Sequence, residues 1–523
     1  MKKEIIIQST SIDAKILKSC QALIAAFFPG SKVIIEAERA KLAGEECLSL
    51  NRDRELNNSK IVNNSKIVLQ IESVGQLECN PVFQICLVSG DRHFSKEIPT
   101  KTIPDLFPPV KEPLSQLLLK RAVSEFLSAY TGLENPWGIL TGMRPGKLVT
   151  KMEELGYNQD SQFKILKEYY LLSPSKIRLL QAINRRQQPY IRQYKENKKQ
   201  VAIYLAIPFC PSRCFYCSFP SHSLTSHYRD LLPSYLEALQ QDIKFTAEIL
   251  KNKELKVSSI YVGGGTPTVL ECKELEVLLS TLQEEIPDLQ HVEFTVEAGR
   301  PDTLDKEKLN ILKQYGVNRL SINPQTMQEK TLKTIGRSHG IEEFRDKFWE
   351  ARGLADWVIN TDLIIGLPGE GPNEILDSIA QVVELNPDNL TVHALALKRG
   401  SLAWENSYVP TAGQDWPKIH QEAQGMIFAA GYVPYYLYRQ KYIVGNLENI
   451  GYCLPGKECR YNIEIIEEIS NVIGLGAGAS SKLLKNYSRH ENIYNPLDVK
   501  LYIERLPEIH KQIKNNIDYE PEY

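Results

Sequence analysis

The sequence lacks the features that direct a chain to a membrane, to a nucleic acid or through a secretion pathway. Its 523 residues contain no apolar run near the 18 residues that mark a membrane-spanning helix. Residues 1–17 contain no continuous apolar segment, so we expect no signal peptide. Lysine plus arginine (62) nearly balances aspartate plus glutamate (64), and no polybasic run occurs. We therefore expect neither a membrane span nor a nucleic-acid partner.

Cysteine is sparse, and most of the ten thiols are scattered. This usage fits a reducing compartment rather than a disulfide framework, so we expect a cytoplasmic protein. The exception is the set Cys210, Cys214 and Cys217, which stand at C-x-x-x-C-x-x-C directly after the apolar run 201–207. Three thiolates suit three irons of a cubic iron–sulfur cluster and leave the fourth iron open to another ligand. An open iron suits a cluster that does chemistry better than one that only carries electrons.

A zinc site is the alternative at this loop. Zinc takes four ligands, and His222 lies five residues after Cys217, so three cysteines and one histidine could bind it. The spacing fits no common zinc finger, however. The downstream run Tyr261–Thr268 reads YVGGGTPT and favours the cluster, because consecutive glycines at a strand end let backbone groups approach a ligand closely.

From residue 201 onward, apolar strands alternate with amphipathic helices in six β–α units, which predicts an α/β fold with a parallel sheet. The motif residues follow the C-terminal ends of these strands, where such folds bind ligands. The strands are predicted near 201–207, 258–263, 292–297, 319–322, 360–365 and 389–396. We predict four parts: an N-terminal α+β domain (1–105), a helical segment and linker (106–200), the core (201–398) and a mixed α/β C-terminal cap (399–523).

Together, the cysteine spacing and the GGGTP turn resemble the radical S-adenosylmethionine (radical SAM) superfamily. Over roughly residues 200–485 the chain resembles the oxygen-independent coproporphyrinogen III oxidases and their relatives. Six motifs of this sequence recur in that family in the same order: Tyr204-x-x-Ile-Pro-Phe-Cys210, GGGTPT, Arg319-Leu-Ser321 with Gln325, Gly336-Arg337, Asp362-Leu-Ile-x-Gly-Leu-Pro368 and Gly474-Leu-Gly-Ala-Gly478. Residues 135–146 and 297–301 resemble the Bacillus-type coproporphyrinogen dehydrogenases with a long N-terminal region. The resemblance implies an incomplete (β/α)6 barrel for the core.

The resemblance also implies cofactors and the residues that bind them. Cys210, Cys214 and Cys217 would hold a 4Fe–4S cluster whose open iron chelates S-adenosylmethionine, and one electron from the cluster would release a 5′-deoxyadenosyl radical. The residues matched by motif to this first S-adenosylmethionine are Tyr204, Tyr216, Gly264, Glu297 and Ser480. A second site of this kind, described in relatives, matches Gly265, Thr266, Gln325, Arg337, Asp362 and Ala396. These residues could equally contact the first cofactor or the substrate, and Gln325 and Asp362 could simply hold loops.

The activity implied by the resemblance is the oxidative decarboxylation of coproporphyrinogen III propionates to vinyl groups, which gives protoporphyrinogen IX in porphyrin biosynthesis. The expected partners are this porphyrinogen and an electron donor such as flavodoxin or ferredoxin, and we expect a monomer. Candidate partners for the substrate carboxylates are the cations Arg300, Lys398, Arg399 and Arg439.

Two departures from the family pattern keep alternatives open. Phe219 stands where the better-known anaerobic oxidases have a fourth cysteine, and haem chaperones of the same superfamily also have phenylalanine there. Those chaperones bind haem through H-N-x-x-Y-W, whereas residues 448–453 here read ENIGYC and offer no imidazole. His339 and His393 are the other histidines considered as haem ligands. The alternatives are a haem chaperone-like protein and a radical SAM enzyme with another substrate.

Overall fold

The computed structural model describes residues 4–9, 11–28, 31–36, 66–74, 82–89, 92–99, 113–219, 221–224, 226–411, 413–486 and 489–517. The chain divides into two compact units, Met1–Ala182 and Ile183–Tyr523. The predicted boundary between residues 105 and 106 lies outside the described residues, and the four-part division of the sequence stays a prediction.

The first unit contains a five-stranded sheet in the order β2-β1-β3-β4-β5. Its strands are β1 (Glu4–Gln8), β2 (Lys32–Glu36), β3 (Lys66–Val74), β4 (Val82–Ser89) and β5 (Arg92–Pro99). Strand β1 pairs in parallel with β2 and β3, whereas β3, β4 and β5 pair antiparallel. The helices are α1 (Ala14–Lys18), α2 (Gln21–Phe27), α3 (Leu114–Thr131), α4 (Gly146–Glu154) and α5 (Gln159–Glu168), and α6 (Pro174–Glu196) carries the chain into the second unit.

Side-chain alternation explains why the first sheet forms. In β4, Phe83, Ile85 and Leu87 are buried while the residues between them are partly exposed. Because successive side chains of a strand point to opposite faces, the apolar face of β4 packs on a core and its other face stays accessible to solvent. Helix α3 begins after Pro113 and ends at Gly132, whose φ of 69° is the left-handed conformation that glycine adopts without strain.

The second unit is built on an 11-stranded sheet in the order β14-β15-β13-β12-β11-β10-β9-β6-β16-β17-β18. Its central strands are β6 (Gln200–Ile207), β9 (Lys256–Gly264), β10 (Glu293–Glu297), β11 (Arg319–Ser321), β12 (Val358–Ile365) and β13 (Asn389–Ala394). These six strands are consecutive in the sheet and parallel throughout. The predicted α/β core with a parallel sheet, an incomplete (β/α)6 barrel, is confirmed.

Helices connect the parallel strands of the second unit, and further helices follow them. They are α7 (Ser226–Asn252), α8 (Cys272–Glu285), α9 (Lys306–Gln314), α10 (Glu329–Thr334), α11 (Ile341–Leu354), α12 (Pro372–Leu385), α13 (Leu402–Glu405), α14 (Trp416–Ala429), α15 (Arg460–Glu467) and α16 (Val499–Asn516). Within the described ranges, no helix has both the length and the apolar content that crossing a bilayer requires.

The C-terminal region, predicted as a cap, supplies strands to both edges of the main sheet. At one edge, β15 (Asn449–Cys453) pairs antiparallel with β13, and β14 (Val433–Tyr438) follows it. At the other edge, β16 (Asn471–Leu475) pairs in parallel with β6, and β17 (Ser480–Asn486) and β18 (Arg489–Tyr494) continue the sheet antiparallel. All residues of β15 and β16 are buried, as expected for strands covered on both faces.

A buried carboxylate ties the C-terminal helix to this sheet. Asp242 of α7 is fully buried, and its oxygens accept hydrogen bonds from the Tyr502 hydroxyl (2.7 Å) and the Gly476 N–H (3.2 Å). His510 Nε2 lies 3.0 Å from the same carboxylate. Because Tyr502 and His510 belong to α16 and Gly476 follows β16, one side chain joins three elements of the fold.

We predict that Asp242→Ala destabilises the chain by about 3 kcal/mol, because it leaves buried donors without an acceptor. Asp230→Ala is the matched control, since Asp230 is exposed on the same helix and should change stability by less than about 0.5 kcal/mol. Thermal and urea unfolding of the full-length variants measure both effects. Equal stability of the two variants would contradict the role assigned to Asp242.

Candidate functional site

The three clustered cysteines lie on a loop that follows the C-terminal end of β6, here called the cysteine loop (residues 208–219). A short parallel ribbon of β7 (Phe209–Cys210) and β8 (His222–Ser223) closes the loop at its base. Within it, the Cys217 N–H donates to the Cys214 carbonyl at 3.2 Å. Cys210, Cys214 and Cys217 are all free thiols on one short segment, and thiols are the ligands that soft metals prefer. Among the described residues, no three metal-ligating side chains are drawn together into a preformed metal site.

Polar groups from other elements contact the sulfurs of this loop. The Thr266 hydroxyl donates to Cys210 Sγ at 3.5 Å, and Arg300 Nη1 donates to Cys214 Sγ at 3.5 Å. Burial raises the pKa of the Cys210 thiol above its ordinary value and that of Cys217 to about 11. Donors at the sulfurs of Cys210 and Cys214 fit a bound metal cluster, because they stabilise the thiolates that form when a metal replaces the thiol protons.

The glycine turn (Gly263–Thr266) at the end of β9 packs directly on the cysteine loop. The Gly265 N–H donates to the Ile207 carbonyl, and the Thr266 N–H donates to the Phe209 carbonyl, both at 2.8 Å. A Cβ on Gly265 would lie 2.4 Å from the Phe209 carbonyl oxygen, which no real contact allows. Gly264 has a φ of +108°, a conformation that favours glycine. The glycines therefore let two backbone segments meet, a role that the sequence analysis did not predict; their close approach to a ligand stays a prediction.

Tyr204 and Glu297, both predicted at the first S-adenosylmethionine, are linked through aromatic residues that the sequence did not single out. Tyr204 stacks on Tyr261 and Tyr461 with ring centroids 6.2 and 6.1 Å apart. The Tyr261 hydroxyl donates to Glu297 Oε1 at 2.7 Å. Burial raises the pKa of Glu297 to about 7 in spite of this hydrogen bond. The result is a carboxyl group that can hold or release a proton near neutral pH, with tyrosine rings beside it.

Of the other residues predicted at this cofactor, Ser480 begins β17 and Tyr216 lies on the cysteine loop. Ser480 is close to Gly474 of β16, which is the register partner of Tyr204. The backbone of Ser480 packs so closely on Gly474 that a Cβ there would lie 2.6 Å from it. The Tyr216 hydroxyl accepts a hydrogen bond from Arg337 Nη2 at 2.9 Å.

Arg337, matched by resemblance to the second S-adenosylmethionine site, donates hydrogen bonds to the protein from both terminal nitrogens. Besides the contact with Tyr216, its Nη1 donates to the carbonyls of Gly299 (2.8 Å) and Asn323 (2.7 Å). The side chain is 7% exposed. Arg337 therefore holds the cysteine loop to the segments that follow β10 and β11, and only its Nε lacks a hydrogen-bond partner among the described residues.

Gln325 follows the end of β11 and meets Asp362 within the neighbouring strand β12. The Gln325 N–H donates to the Asp362 carbonyl at 2.9 Å, and the φ of Gln325 is +69°, a strained value for a side chain of this kind. Gln325 Oε1 is buried and has no hydrogen-bond partner among the described residues. Such a combination of strain and an unsatisfied acceptor is typical of a site that binds a ligand.

The Asp362 carboxylate belongs to a second polar group. Asn360 donates to Oδ1 at 2.9 Å, and His393 Nε2 lies 3.8 Å from Oδ2. Burial acts to raise the pKa of Asp362, but the interaction with His393 and the hydrogen bonds outweigh it and lower the pKa. The Tyr438 hydroxyl is 3.3 Å from His393 Nδ1. Ala396 follows the end of β13, and its backbone forms an isolated antiparallel β-bridge with Ile443.

The four cations predicted to pair with substrate carboxylates differ in their exposure to solvent. Arg300 and Arg439 are 2% and 6% exposed and contact Asp302 and Asn446. Lys398 and Arg399 are exposed. Arg300 also contacts Ser212 and Cys214, 88 and 86 positions away in the sequence, so its local sequence pattern could not predict its burial.

Comparisons with known proteins agree with this geometry. Residues 204–382 match the family model of the Radical SAM superfamily. The "oxygen-independent coproporphyrinogen-III oxidase-like protein HemZ" of Bacillus subtilis is 41% identical over 419 residues, which cover 79% of this chain and 82% of the relative. The chain belongs to the HemN/HemZ family of radical SAM proteins. Proteins of the radical SAM superfamily use a 4Fe–4S cluster and S-adenosylmethionine, and these two are the cofactors of this chain.

Other members of the superfamily are similar over shorter spans. The "heme chaperone HemW" of Escherichia coli is 31% identical over 286 residues, which cover 54% of this chain and 70% of the relative. The solved structure of the coproporphyrinogen III oxidase HemN from Escherichia coli matches with a TM-score of 0.50 and 23% identity, over 62% of this chain and 73% of that one. The HemN likeness supports the radical SAM fold.

We predict that Gly265→Ala prevents the glycine turn from seating against Phe209, so that anaerobic reconstitution leaves most chains without iron and sulfide. Gly353→Ala is the control, because Gly353 is an exposed helical residue of α11 with no neighbour within 4 Å of the added methyl group. That variant should load normally and be slightly more stable. Iron and sulfide analysis together with the visible absorption spectrum measures the difference, and full loading of Gly265→Ala would refute the packing argument.

Proposed function

We propose that this family member oxidatively decarboxylates two propionate side chains of coproporphyrinogen III and yields protoporphyrinogen IX. The observation that carries the proposal is the environment of Glu448, which stands where the haem chaperones have their histidine. Its carboxylate is fully buried and 3.6 Å from His420 Nδ1, and the residues after it form the buried strand β15. A buried carboxylate that faces the core cannot act as an axial haem ligand, so this segment favours catalysis over haem transfer.

The remaining histidines considered as haem ligands add to this argument. The His339 side chain is completely buried beside Asp302, so no tetrapyrrole can reach it. His393 is partly exposed but lies between Asp362 and Tyr438. Two neighbours at opposite ring nitrogens leave His393 better suited to orient a ligand or move a proton than to bind iron.

The residues of the chain supply position, shielding and proton control. When bound, the cluster and S-adenosylmethionine supply the radical that takes a β-hydrogen from a propionate. Cys210, Cys214 and Cys217 would hold the cluster, and the stacked rings of Tyr204 and Tyr261 would exclude water beside it. We assign Tyr216, Gly264, Glu297 and Ser480 to the same cofactor. Gly265, Thr266, Gln325, Arg337, Asp362 and Ala396 are assigned to the neighbouring position, where a second S-adenosylmethionine or the substrate would lie.

Exposed cations beside the cysteine loop suit a tetracarboxylate substrate. The Ala403 N–H donates to the Phe215 carbonyl at 2.9 Å, and Arg213 donates to the Gly400 carbonyl. These contacts bring the segment that carries Lys398 and Arg399 against the loop. Lys398 and Arg399 are therefore the residues that we propose to pair with propionates remote from the reacting one.

We predict that binding of S-adenosylmethionine depends on the protonation of Glu297. Below its pKa of about 7 this carboxyl is neutral and attracts the cationic ligand less, so affinity should fall as the pH decreases from 7 to 5.5, by up to about tenfold per pH unit. Glu297→Gln should bind weakly at every pH. The ratio of its dissociation constant to that of the wild type, measured on the cluster-loaded proteins, should therefore shrink towards low pH.

Glu307→Gln is the control for this prediction, because Glu307 is exposed on α9 and should leave both affinity and pH dependence unchanged. Taking the ratio of dissociation constants cancels the titration of the ligand itself. A ratio that is constant from pH 5.5 to 8 would show that Glu297 does not interact with the charge of S-adenosylmethionine.

The direct test of the proposed activity is anaerobic incubation with coproporphyrinogen III, S-adenosylmethionine and a reductant. We predict protoporphyrinogen IX, carbon dioxide and methionine as products. With β-deuterated propionates, the label should appear in 5′-deoxyadenosine, because hydrogen abstraction must precede loss of the carboxylate. Cys214→Ala should be inactive, whereas Cys272→Ala, which changes a thiol outside the cysteine loop, should be active.

The alternative function, that of a haem chaperone, predicts a different result in the same samples. Absence of turnover by a protein with an intact, reducible cluster, combined with tight stoichiometric haem binding, would reverse the proposal. Absence of both activities with an intact cluster would favour another substrate.

A further inference from the structure

A buried ion pair touches the cysteine loop at Cys214. Arg300 is 2% exposed, and its Nη1 lies 3.5 Å from Cys214 Sγ and 3.1 Å from Ser212 Oγ. From the sequence alone, Arg300 is a candidate partner for a carboxylate of the substrate. The structure instead directs the guanidinium at a sulfur that would ligate iron, which gives this arginine a different task.

Asp302 fixes the orientation of that guanidinium. Arg300 donates from Nε to Oδ1 and from Nη2 to Oδ2, both at 3.0 Å, so the pair is bidentate and leaves Nη1 for the loop. His339 Nδ1 lies 3.8 Å from the same Asp302 oxygen, and its side chain is fully buried. Although burial acts to raise it, the interactions with His339 and Arg300 lower the pKa of Asp302 well below its ordinary value. Asp302 is therefore an anion that holds Arg300 in one geometry.

We propose that Arg300 raises the reduction potential of the cluster by donating a hydrogen bond to the Cys214 sulfur, and that Asp302 sets the strength of this effect. Reduction adds a negative charge that the cysteine sulfurs share. A cation and an N–H donor directed at one sulfur stabilise the reduced form more than the oxidised form, and burial strengthens the interaction. The proposal depends on the cluster ligands but not on the identity of the substrate.

The two members of the pair should shift the potential in opposite directions. Removing the guanidinium removes a donor and a positive charge, so the potential should fall. Replacing the Asp302 carboxylate by an amide keeps a polar partner for Arg300 but removes the compensating negative charge, so the potential should rise. A purely structural role for the pair predicts no such opposition, because either change would only loosen the cysteine loop.

The test is a redox titration of the reconstituted cluster, followed by electron paramagnetic resonance without substrate or S-adenosylmethionine. At a fixed potential, Arg300→Gln should lower the ratio of reduced to oxidised cluster about tenfold, which is about 59 mV for a one-electron couple. Asp302→Asn should raise that ratio. The control is Arg352→Gln, which removes another arginine–aspartate pair (Nη1 to Asp388 Oδ2, 2.7 Å) at the opposite end of the strands and should leave the ratio unchanged.

An unchanged or raised ratio in Arg300→Gln would overturn the proposal, as would a shift of the same sign in both variants. If Arg300→Gln does not bind iron, the Asp302→Asn variant tests the proposal alone. A raised ratio of reduced to oxidised cluster in Asp302→Asn supports the proposal, and an unchanged or lowered ratio overturns it. The readout is independent of the proposed function, because the potential can be measured whether or not the protein decarboxylates a porphyrinogen.

Discussion

The close backbone contact between the glycine turn and the cysteine loop is the constraint on which the site depends. Two N–H groups, of Gly265 and Thr266, donate to the carbonyls of Ile207, at the end of β6, and Phe209, at the start of the cysteine loop. This contact fixes where the cysteine loop leaves the sheet and brings the Thr266 hydroxyl to Cys210. Only a residue without a side chain fits at Gly265, so sequence, strand pairing and ligand geometry are specified together.

Buried charge surrounds this contact, and the protein stabilises it by pairing. Arg337 donates to two backbone carbonyls and to Tyr216, while Arg300 is neutralised by Asp302. Burial raises the pKa of Glu297 to about 7, because the hydrogen bond from Tyr261 and the interaction with His393 do not outweigh the loss of water. The site thus holds fixed cations beside the cysteines and one carboxyl that titrates near neutrality, an arrangement suited to an anionic cluster and a cationic cofactor.

The sequence predicted the parts of the molecule that local pattern determines. The six core strands have apolar runs and turn signals within short segments, and each predicted boundary lies within two residues of the observed one. Pairing of β16 with β6, and stacking of Tyr461 on Tyr204, join residues more than 250 positions apart, and no local period encodes them. The burial of Arg300 could not be predicted for the same physical reason, because it depends on contacts with Ser212 and Cys214, which are distant in the chain. The residue roles taken from family resemblance stay predictions.

Three cysteine ligands, Cys210, Cys214 and Cys217, would leave one iron of the cluster open for S-adenosylmethionine. Electron–nuclear double resonance of the reduced cluster, with S-adenosylmethionine labelled by ¹⁵N in the amino group and ¹⁷O in the carboxylate, tests this arrangement most directly. We predict hyperfine coupling to both labels, which requires direct coordination of the labelled groups to iron. A four-iron cluster with bound S-adenosylmethionine but no coupling to either label would contradict the account, because the fourth iron would then have another ligand.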